Sequence, residues 1–320
     1  MSTPKISVII PIYNAAPYIE KCAHSLFQQT LDSIEYIFID DCSPDNSSDI
    51  LKEVSARYPQ RRDQIKHLRN ERNLGVGQTR QRGIDLATGD YIIHCDPDDW
   101  IDKELYEKMW TRAIETQSDI IVCGFRLVRN GNSTIRKQVP PTSKAEIFSH
   151  FASGKLHGSL WNKLIKRDIA QKFKIEKGIN MWEDLSVTPL MLLSANSVDH
   201  VGDVYYNYRI DNNSSVSSSY GLKTCKSQIN AVESLEKRLK ETGMNKIINP
   251  DDLHLLNWNA LYVLLMSTRI ENYREWNVLF NERVKKIPKT NLALRFKLLT
   301  WLAKHKLYYL ISALNYLKRL

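Results

Sequence analysis

Residues 94–100 read "HCDPDDW". Three carboxylates, Asp96, Asp98 and Asp99, crowd around Pro97 directly after the apolar run "YII". Like charges this close repel, and each raises the cost of ionising the others. Two chemistries fit. One is a solvated turn in which Asp99 or Asp102 helps cap the next helix, since Asp and Pro favour turns for local reasons. The other is a hard divalent cation, Mg²⁺ or Mn²⁺, held by carboxylate oxygen and completing its shell with a ligand's phosphates. Two further acids, Glu183 and Asp184, stand in "WEDL" ahead of an apolar helical segment. A carboxylate there has the chemistry of a general base. It also has the chemistry of a first-turn residue that suits the helix macrodipole and is held ionised by it.

The segments around these acids set where they must lie. "KISVIIPIYN", "IEYIFIDDCS", "IKHLRN", "DYIIHCD" and "SDIIVCGFRLV" read as strands, and helical spacing fills the gaps between them. Alternating strands and helices predict an α/β fold whose mostly parallel, Rossmann-like sheet is covered on both faces. Ligands of such sheets bind at the carboxyl ends of the strands. Three polar clusters fall there: "PIYN", "DDCS" and "DPDD". After Arg129 the pattern loosens. "NGNSTIRKQVPPTSK" reads as a loop, "WNKLIKRDIAQKF" as a strand turning into a short helix, and "VDHVGDVYYNYR" as strand-like. "IDNNSSVSSSYG" reads as a polar loop, and from Leu222 onward the chain reads as helices.

The ordered set "PIYN", "IDDCS", "RNLGVGQTRQRGIDLATGDY" and "DPDD" resembles the family 2 glycosyltransferases, GT-A-fold enzymes of the bacterial surface-polysaccharide type that use nucleotide-sugar donors. The match runs from about Lys5 to Asp99. "WNKL", "WEDL" and "YYNYR" are similar to that family's acceptor-side half. Two positions depart from its pattern: Thr79-Arg80-Gln81 stands where the family has Ala-Arg-Asn, and Pro97 where a small residue is usual.

The resemblance implies roles. Pro11, Tyr13 and Asn14 belong to a loop packed on the nucleotide base, with Tyr13 available for stacking. Asp41 accepts a hydrogen bond from uracil, and Asp40 supports the loop or the ribose. Asn73 and Arg80 serve the donor site, Arg80 by pairing with an acid or a phosphate. Asp96 faces the ribose, Asp98 is the main metal ligand with Asp96 beside it, and Asp99 orients the turn or reaches the donor sugar. Asp184, next to Glu183, is the base that takes the acceptor's proton. Trp161, Asn162, Lys163 and Trp182 form an acceptor wall. Arg209 closes on the diphosphate, and the serine-rich "NNSSVSSS" after it forms a lid. The implied reaction moves a sugar from a UDP-sugar to a saccharide or lipid-linked saccharide by one displacement, inverting the anomeric centre. A nucleotidyltransferase is one alternative, but "PIYNAAPYI" lacks a basic glycine-rich loop for triphosphate. A non-catalytic nucleotide-sugar-binding relative is the other, and the intact Asp41, Asp96, Asp98 and Asp184 argue against it.

Composition sets the remaining bounds. The chain has 320 residues and a formal charge of +9. Residues 281–320 hold ten Lys/Arg and one acid, so the rest is neutral at 35 of each sign. The reading is a GT-A domain over 1–220 and a helical, basic region over 221–320. Within the first, the donor half covers about 1–128 and the acceptor half about 129–220. Five scattered cysteines without a C-x-x-C pair argue against a disulfide framework or zinc site and suit a cytoplasmic setting. "MSTPKISVII" has neither the basic start nor the long apolar core of a signal peptide. For residues 290–320 the sequence leaves open an interfacial helix at a membrane surface and a helical appendage packed on the body or a twin subunit. No nucleic-acid reader motif accompanies the basic charge, so nucleic acid is not an expected partner.

Overall fold

The computed structural model describes residues 3–179, 181–211, 221–284 and 294–317. Strands β1 (Ile6–Ile12), β2 (Ile34–Asp40), β3 (Ile65–Arg69) and β4 (Tyr91–His94) form a parallel array in the order β3-β2-β1-β4. Every residue of β1 and β2 is buried, as a strand covered on both faces requires. Side chains alternate between two cores. Ile9, Ile37 and Ile92 enter one, while Val8, Ile10, Phe38 and Ile93 enter the other.

The second core is closed by α1 (Ile19–Phe27), α2 (Ser47–Ala56) and α4 (Leu105–Thr116). In α1 the buried positions are Ile19, Cys22, Ala23, Leu26 and Phe27, the stripe that 3.6-residue periodicity places on one face. The first core is closed by α3 (Val76–Leu86), α5 (Lys144–Ala152), α6 (Arg167–Lys172) and α7 (Thr188–Ser194). The C-terminal helices α8 (Leu222–Glu241), α9 (Pro250–Leu265), α10 (Ile270–Arg283), α11 (Leu294–Lys304) and α12 (Tyr308–Leu317) join that same core.

The later strands are β5 (Trp100–Ile101), β6 (Ile120–Arg129), β7 (Asn132–Arg136), β8 (Lys163–Lys166) and β9 (Val198–Arg209). β8 enters antiparallel between β4 and β6, and β9 runs parallel to β6. The expectation of a mostly parallel sheet therefore holds for β1–β4, and the whole sheet is mixed. "NGNSTIR", read as loop, supplies β7, which pairs antiparallel with β6 across a tight turn at Asn130 and Gly131. Its side chains are all exposed, so it lacks the apolar alternation by which strands are recognised. Both turn residues have positive φ, 47° and 80°. The lid expected at "NNSSVSSS" lies outside the described residues.

Candidate active site

The carboxyl ends of β1, β2 and β4 open on one edge of the sheet. The backbone turns sharply there: Asn14 and Cys42, the residues that leave β1 and β2, have φ of 51° and 59°. Such left-handed conformations in non-glycine residues cost energy and persist only when surrounding bonds enforce them. Those bonds come from residues that sequence reasoning missed. The amides of Asn14, Ala15 and Ala16 donate to Ser43 Oγ (2.8 Å), Ser47 Oγ (2.9 Å) and Asp45 Oδ2 (2.8 Å). Tyr13 is left half-exposed beside this loop, and Pro11 is buried in β1.

Asp40 and Asp41 are both buried. Asp40 accepts from the Ser43 amide (2.7 Å), Ser48 Oγ (2.7 Å) and the Arg69 guanidinium, so it braces the loop after β2. Asp41 Oδ1 accepts from Asn70 Nδ2 (2.7 Å) and the Leu74 amide (2.8 Å), and Oδ2 from the Gly75 amide (2.9 Å). A carboxylate offers about four acceptor directions, so one remains on Oδ2. Asn73 is exposed and accepts from the same Gly75 amide at 3.0 Å. Gln81, the longer amide, donates to Asp85 and accepts from the Ile175 amide (2.7 Å), which ties α3 to the segment leading to "WEDL".

Arg80 is buried between the two acidic motifs. Its Nη2 donates to Asp96 Oδ1 at 2.6 Å and its Nη1 to Glu183 Oε1. Burial opposes the guanidinium charge, but Asp96, Glu183 and Asp184 outweigh it and raise its pKa. One side chain on α3 thus joins the turn after β4 to a segment about a hundred residues later.

The three acids of the turn are held differently. Asp99 is buried; its Oδ2 accepts from Tyr206 OH (2.7 Å) and its Oδ1 from the Arg209 amide (2.7 Å). Burial, then the nearby Asp98 and Asp96, push its carboxyl well above the usual range. Tyr206 OH also accepts from the Asp96 amide at 2.9 Å, so this tyrosine ties the turn together. Asp96 and Asp98 remain partly exposed. Arg209 lies against the turn: its Nε donates to the Asp98 carbonyl (3.1 Å) and its guanidinium rests over Tyr18 and Trp100.

Asp184 sits four residues before α7 and accepts from the Leu185 amide at 2.8 Å. The expectation that it lies in the first turn of the apolar helix, held ionised by its N-terminus, is not met, because α7 begins only at Thr188. Burial first, and then Glu183, push its carboxyl up to about 7, against the opposing pull of Arg80 and the Leu185 amide.

The proposed acceptor wall divides. Trp161, Asn162 and Lys163 are 4%, 0% and 0% exposed, so they face the interior and not a substrate. Trp161 stacks on Tyr206 and Tyr208. Lys163 Nζ donates to the carbonyls of His157 (2.6 Å) and Ser159 (2.8 Å) and to Asn162 Oδ1 (2.7 Å), which uses all three of its donors. Burial pushes its ammonium down to about 7. Trp161 thereby backs Tyr206, which bonds Asp99. Trp182 is half-buried beside Glu183, with φ of 61° and its indole N–H directed to Gln228 of α8.

Residues 7–174 match the family model described as glycosyl transferase family 2. The chain belongs to the family 2 glycosyltransferases. It is 30% identical over 284 residues to EpsH of Bacillus subtilis (strain 168), which carries the name of a glycosyltransferase; the alignment covers 86% of this chain and 73% of that protein. It is 26% identical over 210 residues to the minor teichoic acid biosynthesis protein GgaB of the same organism, covering 64% of this chain and 23% of GgaB. The fold superposes on that of S. aureus TarS 1–349 in complex with UDP-GlcNAc with a TM-score of 0.68 at 19% identity, over 98% of this chain and 89% of that one. A glycosyltransferase of the GT-A fold, with relatives in bacterial polysaccharide synthesis, is thus established; no helix among the described residues is long and apolar enough to cross a membrane.

Proposed function

We propose that this glycosyltransferase moves a sugar from a UDP-sugar to a saccharide or lipid-linked saccharide in the assembly of a bacterial surface polysaccharide. The carrying observation is the Arg80 bridge, which sets Asp96 on the donor side beside Glu183 and Asp184 on the acceptor side. In this reading the base rests in the loop of Tyr13 and Asn14, and Asp41 uses its remaining acceptor direction on a donor N–H of that base. Arg209, already stacked over the turn, meets the diphosphate.

A divalent cation, Mn²⁺ or Mg²⁺, fits the turn. No cluster of three or more candidate ligands occurs among the described residues. That suits a hard ion that takes one or two carboxylates and leaves the rest of its shell to phosphate and water. Asp99 is committed to Tyr206 and Arg209, so Asp98 and Asp96 are the residues that would hold the ion. When bound, it would offset charge on the departing diphosphate. Asp184 takes the proton of the attacking hydroxyl; with its pKa near 7 it is ionised in part at neutral pH and basic enough to share that proton in the transition state. With one base and one leaving group, attack is a single in-line displacement and the anomeric centre inverts.

Calorimetric titration with UDP, GDP and dTDP, each with Mn²⁺ and with a chelator, tests this reading. Metal-dependent binding of UDP is expected, and Asp98→Asn should weaken it. Unchanged binding by that variant would remove the metal from the turn.

A further inference from the structure

Helices α11 and α12 expose an unusual amount of apolar surface. Of eighteen exposed large hydrophobic side chains in the described residues, nine fall within 294–317. They are ordered rather than scattered. Leu294, Leu298 and Trp301 recur every three or four residues along α11, at 83%, 43% and 51% exposure. Leu310, Leu314 and Leu317 do the same along α12, and Tyr309 and Tyr316 make a parallel stripe at 80% and 61%. The opposite faces are accounted for: Leu299, Leu302, Ala303 and Ile311 are buried in the main core. Scattered exposed leucines need no explanation, but contiguous stripes of this kind mark a surface that meets something.

Charge selects the partner. Residues 294–317 carry Arg295, Lys297, Lys304 and Lys306 and no acid. The three lysines are exposed beside the apolar stripes. A second copy docked about a two-fold axis would set this uncompensated positive face against itself. A negatively charged lipid surface is complementary to it. At 11 and 10 residues the helices are too short to span a bilayer. They suit helices lying in the interface plane, with leucines among acyl chains, lysines at headgroups, and Trp301, Tyr309 and Tyr316 at the boundary that such rings favour.

We propose that the outer face of α11 and α12 docks the enzyme on an anionic membrane surface. α11 and α12 pack on α9, α10 and each other, and none of the residues proposed for donor binding or catalysis belongs to them, so the two proposals fail or succeed separately.

The test is co-sedimentation of the full chain with vesicles of phosphatidylcholine alone and of phosphatidylcholine mixed with phosphatidylglycerol, at low and high salt. Binding is expected to the anionic vesicles and to weaken with salt. Lys297→Glu/Lys304→Glu/Lys306→Glu should weaken it by roughly 10²-fold or more. Trp301→Glu/Leu310→Glu should abolish it while the melting temperature stays near that of the parent, because both side chains are about half exposed. Absence of vesicle binding overturns the proposal, and so does equal binding to neutral vesicles. Sedimentation velocity without lipid supplies a further arm: a dimer that dissociates on Trp301→Glu/Leu310→Glu would make this face a subunit interface and overturn the membrane assignment.

Discussion

Glu183 and Asp184 are adjacent in sequence but are held for different tasks. Glu183 is clamped by Arg80, whereas the Asp184 carboxylate accepts from the Leu185 amide at 2.8 Å. That contrast is why Asp184, and not Glu183, is the proposed base. Asp184→Asn should retain donor binding and lose transfer by ~10²-fold or more, the scale of general-base catalysis. Measured turnover with saturating donor decides it, and near-normal transfer would place the base elsewhere. The raised pKa adds a pH signature. Asp184 is protonated below about 7, so the rate of the wild type should climb with pH through that value. Stability runs the other way. The folded pKa lies above the ordinary 3.8, so this group's contribution is full below 3.8 and is lost as pH rises through about 7. Arg80 is the other decisive residue. Arg80→Met leaves the buried Glu183 carboxylate and the partly exposed Asp96 carboxylate without their partner and should cost about 3–5 kcal/mol by denaturant unfolding. Transfer should fall with it, since the bridge also sets the two halves in register.

At the scale of elements, α3 carries the bridge, and its distance from the "WEDL" segment is set by a glycine. A Cβ on Gly77 would lie 3.1 Å from Ile175 Cγ2, 3.1 Å from the Ile179 carbonyl and 3.3 Å from Glu183 Cβ. All three are tighter than ordinary contact, and one is backbone. Gly77→Ala gains helix propensity of under about 1 kcal/mol, since Gly77 is the second residue of α3, and this partly offsets the crowding. The expected outcome is a small change in melting temperature with a several-fold loss of turnover, as the 175–183 segment shifts away from Arg80. Turnover equal to the wild type would show that the segment yields without moving the acids. β9 positions the other side of the site in the same indirect manner, through Tyr206 and the Arg209 amide on Asp99.

On the scale of the whole molecule, the helical region after residue 221 is continuous with the catalytic body. Leu235, Leu261, Trp276 and Ile311 belong to the same buried cluster as Ile9, Ile37 and Val122 of the sheet. The region after residue 221 therefore folds jointly with the sheet. A fragment ending at 220 would uncover the faces of α5 and α7 that α8 and α9 bury, and is expected to lose cooperative unfolding or to aggregate. A soluble 1–220 fragment with a sharp melt would show instead that the body is self-sufficient.

The sequence by itself determined the parallel β1–β4 array and the family. The strands are short apolar runs, acids fall at their ends, and the ordered motifs from Pro11 to Asp99 name the family, because period and turn chemistry are local properties. Glu183, Asp184 and Arg209 were singled out through the same family resemblance, and their roles remain proposals. What only the tertiary structure decided is which groups meet. That Arg80 joins Asp96 to Glu183 depends on how α3 packs against a distant segment. That Trp161, Asn162 and Lys163 face inward depends on β8 entering the middle of the sheet, where a lysine with three carbonyl and amide acceptors can be buried. The rise in the Asp184 pKa depends on the protein packed around it, and no nearest-neighbour rule contains that burial. The tail shows the same division: its charge and leucines are in the sequence, but only packing against the core reveals which of them are left outside.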